Sequence, residues 1–269
     1  MKLILYSLDD LAGSNIARII TNRYNFASKG DYYYGSPIYR KENVMLFGTH
    51  SSVRDLENIP YVPEACIVAS RHKSDSGRPT LTCHPTGNFG KAELGGRDGR
   101  LQLTDALHLR QALMYLRQAK DKYSLAYDVS LEVTHHGPTE LPFPLIYVEV
   151  GGTRVEWSDE NACNAVAEVV YTLASQQVEK KPPAIGFGGP HYAPNFNQVA
   201  EHYALGHIMP KHAVENLTKT MVQEMILKTY PRPDVAAIDW KGLRGADREL
   251  LKGILNELGV NWIKTGELK

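Results

Sequence analysis

Short apolar runs, many of them rich in β-branched residues, alternate along the chain with longer stretches of helical periodicity. The apolar runs favour buried strands, whereas apolar residues recurring every three or four positions favour helices. We predict strands at residues 3–7, 43–49, 65–70, 128–134, 145–150, 184–188, 235–240 and 260–264. We predict helices at residues 103–120, 159–175, 213–230 and 246–259, the second of them capped by Ser158.

Strands separated by helices indicate an α/β fold with a mixed, largely parallel sheet flanked by helices. We expect residues 1–269 to form a single α/β catalytic domain, in which the long non-periodic stretch at residues 70–100 could form a small lobe. In open α/β sheets, functional side chains gather in the loops that follow the carboxyl ends of the strands. Those loops are therefore the place to look for chemistry.

The chain has no net charge, but its charges are unevenly distributed. Residues 71–130 carry an excess of +4 and residues 211–269 an excess of +2, whereas residues 131–210 carry −6. This excludes a uniformly basic coat for nucleic acid. A basic flank beside an acidic centre would suit a phosphate-bearing substrate, although solvated faces with no such role would give the same counts.

Cysteine usage and hydropathy indicate the compartment. The three cysteines lack C-x-x-C spacing, which argues against a disulfide framework or a thiolate zinc site. The apolar stretch in MKLILYSLDD is too short for a signal peptide, and no run approaches the roughly 18 apolar residues of a membrane span. We expect a soluble, cytoplasmic protein.

Histidines gather beside glycine, proline and strand ends. His135 and His136 are followed at once by Gly137 and Pro138, and a turn there could bring both imidazoles to one pocket despite the alternation of a strand. The wider group consists of His72, His84, His135, His136, His191 and His207. Any one of them could be a loop histidine satisfied by a backbone carbonyl, but together they suggest a site.

Several enzyme classes lack their motifs here. The sequence contains no G-x-S-x-G, no G-x-x-x-x-G-K-[ST], no H-E-x-x-H and no G-x-G-x-x-G turn. Imidazoles and carboxylates without thiolate pairs suit a catalytic zinc site or a metal-free general base. The residues alone leave open a metal-dependent hydrolase, a phosphorylase or nucleosidase, and a non-catalytic binding protein.

Four long motifs, in order, carry a family resemblance: SRHKSDSGRPTLTCHPTGNFG, EVTHHGPTELPFPLIYVEVGGT, GFGGPHYAP and ALGHIMPKH. With them the chain resembles the archaeal and plant type of D-aminoacyl-tRNA deacylase over essentially its whole length, with minor departures such as Asp75 and Cys83. The resemblance implies hydrolysis of the ester between a D-amino acid and tRNA, zinc as cofactor, and a phosphorylase/hydrolase-like α/β fold.

Residue chemistry then suggests roles within these motifs. As metal ligands we predict His136, His191, Glu149, His84 and His207, and as catalytic residues His136, Glu149 and His135. The alternative for Glu149 is a strand-end carboxylate that is solvated or paired with Arg154.

The predicted partner is the acceptor end of charged tRNA, with no membrane and no obligate protein partner. Basic residues suited to its phosphates are Arg71, Lys73, Arg78 and Lys91, although each could be an ordinary solvated loop residue. No motif for base-specific recognition is visible, as expected of an enzyme that accepts many tRNAs. The competing functions are a metal-dependent peptidase or amidase and a tRNA-binding factor without catalysis.

Overall fold

The computed structural model describes residues 1–73 and 77–268, so Asp75 of the first motif lies outside the described residues. Fourteen strands are described: β1 Lys2–Ser7, β2 Ala27–Tyr33, β3 Ser36–Lys41, β4 Val44–Thr49, β5 Ala65–Lys73, β6 Thr80–His84, β7 Thr104–Asp105, β8 Asp128–Leu131, β9 Leu145–Gly152, β10 Pro183–Phe187, β11 Ala204–Met209, β12 Thr229–Tyr230, β13 Val235–Ile238 and β14 Asn261–Lys264.

Seven α-helices and four short 3₁₀ turns are described. The helices are α1 Leu11–Arg23, α2 Ala106–Lys122, α3 Arg154–Trp157, α4 Glu160–Ser175, α5 Pro194–His202, α6 Lys219–Leu227 and α7 Gly245–Glu257. The 3₁₀ turns are Val53–Asp55, Lys211–Asn216, Trp240–Gly242 and Thr265–Glu267. Among the described residues, no helix combines the length and apolar character needed to cross a bilayer.

The strands form an eight-stranded sheet in the order β2-β3-β4-β1-β5-β9-β6-β8 and a four-stranded sheet in the order β11-β10-β13-β14, with β12 and β7 pairing separately. The smaller sheet is parallel throughout. In the larger sheet β1, β4, β5 and β9 run parallel, whereas β6 runs antiparallel to β9. The predicted α/β fold with a mixed, largely parallel sheet flanked by helices is confirmed.

Burial explains why the central elements form. Every residue of β9 is buried, and helices α1, α2 and α4 pack their apolar faces on the larger sheet. Helices α6 and α7 bury theirs in a second apolar cluster that includes residues of β10 and β13. Helix α2 also packs against β11, so it joins the two sheets.

Several predicted boundaries are wrong for local reasons. The predicted helix at 213–230 is instead a 3₁₀ turn followed by α6, because the hydroxyl of Thr218 accepts a hydrogen bond from the Met221 N–H and starts a new helix there. Helix α4 is capped by Asp159 and not by Ser158, which ends α3. The strand predicted at 128–134 ends at Leu131.

The non-periodic stretch at 70–100 contributes directly to the larger sheet. Strand β5 continues to Lys73, and β6 occupies residues 80–84 between β9 and β8. Strand β6 is fully buried although its sequence is TLTCH, so polarity concealed it from a hydrophobicity pattern. His84 at its end consequently lies opposite Tyr147 of β9.

Candidate active site

A cavity of about 620 Å³ opens beside the carboxyl ends of β5 and β9. Its floor contains Glu149 and Tyr147 of β9, and its walls include His72 of β5 and residues of four loops. The loop residues are His135 and His136, His191 and Tyr192, and Ser52, Val53, Arg54 and Leu94. The cavity thus collects most of the histidines that the sequence singled out.

One group of possible metal ligands consists of His84, His135 and His136, each offering an atom within 4.8 Å of the others. In each of the three, Nδ1 contacts a backbone carbonyl: that of Pro85 at 3.2 Å, Val133 at 2.8 Å and Gly137 at 2.6 Å respectively. A carbonyl only accepts, so Nδ1–H is the donor, and in the neutral ring Nε2 keeps its lone pair. The three imidazoles are therefore oriented as metal ligands usually are.

The turn that brings His135 and His136 together is the one expected from the sequence. His136 has a φ of 44°, in the left-handed region, and the two ring centroids lie 4.5 Å apart. Gly137 follows, and a Cβ there would lie 2.1 Å from the Arg54 carbonyl oxygen, so no other residue fits without displacing that loop. The close approach holds the histidine turn against the loop of Arg54.

A second group consists of His72, Glu132 and His191. Glu132 is fully buried; its Oε1 lies 3.3 Å from His72 Nδ1, and its Oε2 lies 3.2 Å from His191 Nε2 and 3.5 Å from His135 Nε2. Glu149 Oε2 lies 3.6 Å from His72 Nδ1 and 3.4 Å from His84 Nε2. The two carboxylates therefore connect the two groups of histidines.

Unpaired buried atoms test whether these residues suit a cation. Within the described part of the chain, His84 Nε2, both carboxylate oxygens of Glu132 and Glu149 Oε2 are buried without a hydrogen-bond partner. Burial of such groups without a partner is costly, and buried charges normally are paired or coordinate metals. Imidazole nitrogens and carboxylate oxygens are suitable ligands for a divalent cation. The residues present fit a metal centre.

The pKa values of the clustered side chains shift in different directions, depending on whether burial or a neighbouring charge dominates. Burial opposes protonation of His72, but Glu149 and Glu132 outweigh it and raise the pKa of His72 to about 9. Burial lowers the pKa of His136 to about 3 and that of His135 well below its usual value, with neighbouring histidines adding to the effect. Burial would raise the pKa of Glu149, but contacts with His72 and His84 hold it well below its usual range. His135 and His136 are thus neutral and Glu149 is ionised at physiological pH.

The structure does not bring His207 to this cluster. His207 is fully buried in β11, with Nδ1 3.2 Å from Thr134 Oγ1 and Nε2 2.9 Å from the Gln102 carbonyl oxygen. Both ring nitrogens are thus occupied by hydrogen bonds, and burial lowers the pKa of His207 to about 4. The prediction of His207 as a metal ligand is corrected: it is a core histidine.

The four basic residues assigned to tRNA are dispersed. Arg71 and Lys73 line the cavity, and the Arg71 guanidinium lies 5.2 Å from the centre of the Trp157 ring. Arg78 pairs with Asp128 at a neighbouring cavity, and Lys91 is exposed but does not line the site.

Sequence reasoning missed three residues of this cavity region. Glu132 follows β8 inside the run SLEVT, where a buried carboxylate looks like the polar position of an alternating strand. Arg54, exposed in a 3₁₀ turn, lines the cavity, and Tyr147 was hidden within the apolar run of β9. His72 was only a loose member of the histidine set, because the predicted strand stopped at residue 70 whereas β5 continues to Lys73 and carries His72 to the cavity.

Comparison with known proteins shows the family to which this chain belongs. The profile of the family described as D-aminoacyl-tRNA deacylase matches residues 59–263, most of the chain. The chain belongs to this family.

Relatives in the D-aminoacyl-tRNA deacylase family match along nearly the full length. The chain is 34% identical to D-aminoacyl-tRNA deacylase of Thermococcus onnurineus and 32% identical to that of Pyrococcus abyssi, each over 98% of this chain and 100% of the relative. A crystal structure described as a conserved protein of unknown function superposes with a TM-score of 0.92 at 28% identity, covering 100% of this chain and 96% of that one. The family resemblance predicted from the four motifs is confirmed.

Proposed function

We propose that the protein hydrolyses the ester bond of D-aminoacyl-tRNA and releases the free D-amino acid and tRNA. The observation that carries the proposal is a cavity lined by neutral His135 and His136, by the buried carboxylate of Glu149 and by basic residues, in a chain of this family. The histidines and the carboxylate suit hydrolysis of an ester, and the basic residues suit a substrate with several phosphates. Such an enzyme would act in the cytoplasm, where tRNA is charged.

We propose zinc as the cation, because imidazole with carboxylate is a ligand set typical of catalytic zinc. His84, His135 and His136 would hold it through Nε2, and His72, Glu132 and His191 offer a second position. When bound, zinc supplies Lewis acidity towards the ester carbonyl and the attacking water.

The protein's own residues would divide the remaining work. Glu149, ionised and beside both histidine groups, would accept the proton of the attacking water. Arg71 and Lys73, together with Arg54, would contact phosphates near the 3′ end of the tRNA and orient the ester towards the cavity floor.

We also propose that residues 1–269 act as one catalytic domain. His191 follows β10 of the smaller sheet, whereas the other candidate ligands come from the larger sheet and the loops after its strands. Neither sheet alone would therefore provide both groups of ligands.

The deciding experiment compares hydrolysis of D-Tyr-tRNA and L-Tyr-tRNA by purified protein, before and after chelation and after zinc is restored. We expect cleavage of the D-ester that is lost on chelation and recovered with zinc, while circular dichroism shows an unchanged fold. Full activity of the metal-free protein would contradict the zinc centre. Cleavage of short peptides but not of aminoacyl-tRNA would favour an amidase, and tRNA binding without turnover would favour a non-catalytic factor.

A further inference from the structure

Tyr147 lies on the cavity floor with a hydroxyl that has no assigned task. It precedes Glu149 by two positions on β9, so both side chains point to the same face of the sheet. Its ring stacks on that of His84 with centroids 5.1 Å apart, and it meets the His136 ring edge to face with centroids 5.0 Å apart. The ring is thus fixed between two candidate metal ligands.

The hydroxyl of Tyr147 is buried, and among the described residues it has no hydrogen-bond partner. The whole side chain is only 2% exposed, yet it lines the cavity. A buried hydroxyl normally finds a partner, because its desolvation is otherwise uncompensated. A phenylalanine would make the same ring contacts without that cost, so packing gives no reason for the hydroxyl, and a ligand in the cavity would.

We propose that Tyr147 is a further catalytic residue, whose O–H donates a hydrogen bond to the carbonyl oxygen of the substrate ester. This inference rests on the proposed function. As water adds to the carbonyl carbon, negative charge develops on that oxygen, and a donor held in place beforehand stabilises the charge without having to reorganise. Tyr147 keeps its proton throughout. The water oxygen bonds to the carbonyl carbon and its proton passes to Glu149; the ester C–O bond then breaks, and the ribose oxygen takes that proton from Glu149 and leaves as a hydroxyl.

The surrounding groups explain why a phenol is suited to this task. Glu132 and Glu149 provide acceptors, and the neutral His135 and His136 direct Nε2 lone pairs into the cluster, so none of these four supplies a neutral donor. The Tyr147 O–H supplies one, and the stack with His84 restricts where it points.

The test is Tyr147→Phe, measured by single-turnover hydrolysis of D-Tyr-tRNA in zinc-loaded protein. We expect the rate to fall by about 10²-fold, the usual effect of removing one donor to a developing oxyanion. Affinity for D-Tyr-tRNA and zinc content should stay within twofold of the parent, and the melting temperature should rise because an unpaired buried hydroxyl has been removed.

Thr104→Val provides the matched control. The Thr104 hydroxyl is also buried without a hydrogen-bond partner in the described chain, but Thr104 does not line the cavity. Its removal should raise the melting temperature and leave the rate unchanged.

A parental rate in Tyr147→Phe would overturn the inference, as would a lower melting temperature or loss of zinc, since either would make the hydroxyl structural. If the parent itself cleaves no aminoacyl-tRNA, the proposed function fails first and the inference falls with it. If the parent hydrolyses D-Tyr-tRNA and Tyr147→Phe does so at the same rate, the inference fails while the proposed function stands.

Discussion

Glu132→Gln should weaken zinc binding strongly, because this substitution removes a buried charge while keeping the size of the side chain. Glu132 is fully buried and lies 3.2–3.5 Å from ring nitrogens of His72, His191 and His135. At an effective dielectric constant of about 20, the Glu132 carboxylate attracts a unit positive charge by about 5 kcal/mol at 3.3 Å, the distance of its Oε1 from His72 Nδ1. A loss of only half of this, about 2.5 kcal/mol, would weaken zinc binding by roughly 70-fold.

The assay is competition for zinc between the metal-free protein and a chromogenic chelator, with single-turnover hydrolysis measured in parallel. Glu257→Gln is the matched control, because Glu257 is exposed on α7 and pairs only with Lys219 among the described contacts. The control should bind zinc as the parent does. If Glu132→Gln also retains parental affinity and stoichiometry, Glu132 is not a ligand and the second group of candidate ligands must be abandoned.

Three further predictions follow from the same geometry. His136→Ala and Glu149→Gln should each lower kcat by roughly 10²-fold or more with little change in tRNA affinity, and the double variant should be hardly worse than the more damaging single one; losses that multiply in single-turnover assays would indicate two independent roles. Arg54→Ala and Arg71→Ala should each raise KM and reduce the slope of log KM against log salt by about 0.7–0.9, whereas a parental slope would place the tRNA contact elsewhere. The pKa of His207 is about 4 in the folded protein and near 6.5 when unfolded, so the stability that neutral His207 contributes is present above pH 6.5 and is lost as the pH falls to 4. In urea unfolding between these pH values, His207→Gln should therefore lose less free energy of unfolding than the parent, by up to about 3 kcal/mol. Equal losses in the variant and the parent would refute the assignment.

The sequence predicted most of the strands whose side chains are apolar and buried, but it missed the fully buried β11. Strands β1, β4, β5, β9, β10, β13 and β14 all lie where apolar runs indicated them. Strand β2 was missed because all but one of its residues are exposed and its pattern carries no hydrophobic signal. Strand β6 was missed for the opposite reason, since its buried side chains include threonines and a histidine.

The candidate site was predictable to the extent that local chain geometry determines it. Gly137 and Pro138 signalled the turn that brings His135 next to His136, and the structure places them together. Glu132 could not be found, because its role arises from β5 and the loop after β10 approaching it from distant parts of the sequence. His207 shows the converse: glycine and proline nearby do not reveal that both of its ring nitrogens are satisfied in the core.

The loop that carries His191 follows β10 of the smaller sheet along the chain, but its backbone is hydrogen-bonded to the segment that follows β8 of the larger sheet. Glu132 and Tyr192 form an antiparallel bridge, the Val133 N–H donates to the His191 carbonyl oxygen at 3.0 Å, and the Ala193 N–H donates to the Leu131 carbonyl oxygen at 3.0 Å. These contacts between residues 131–133 and 191–193 position His191 relative to Glu132 and the other candidate ligands. A displacement of the smaller sheet that keeps these three contacts intact would leave the separation between His191 and Glu132 nearly unchanged, so the geometry of the candidate ligands depends on this loop more than on the strands of the smaller sheet.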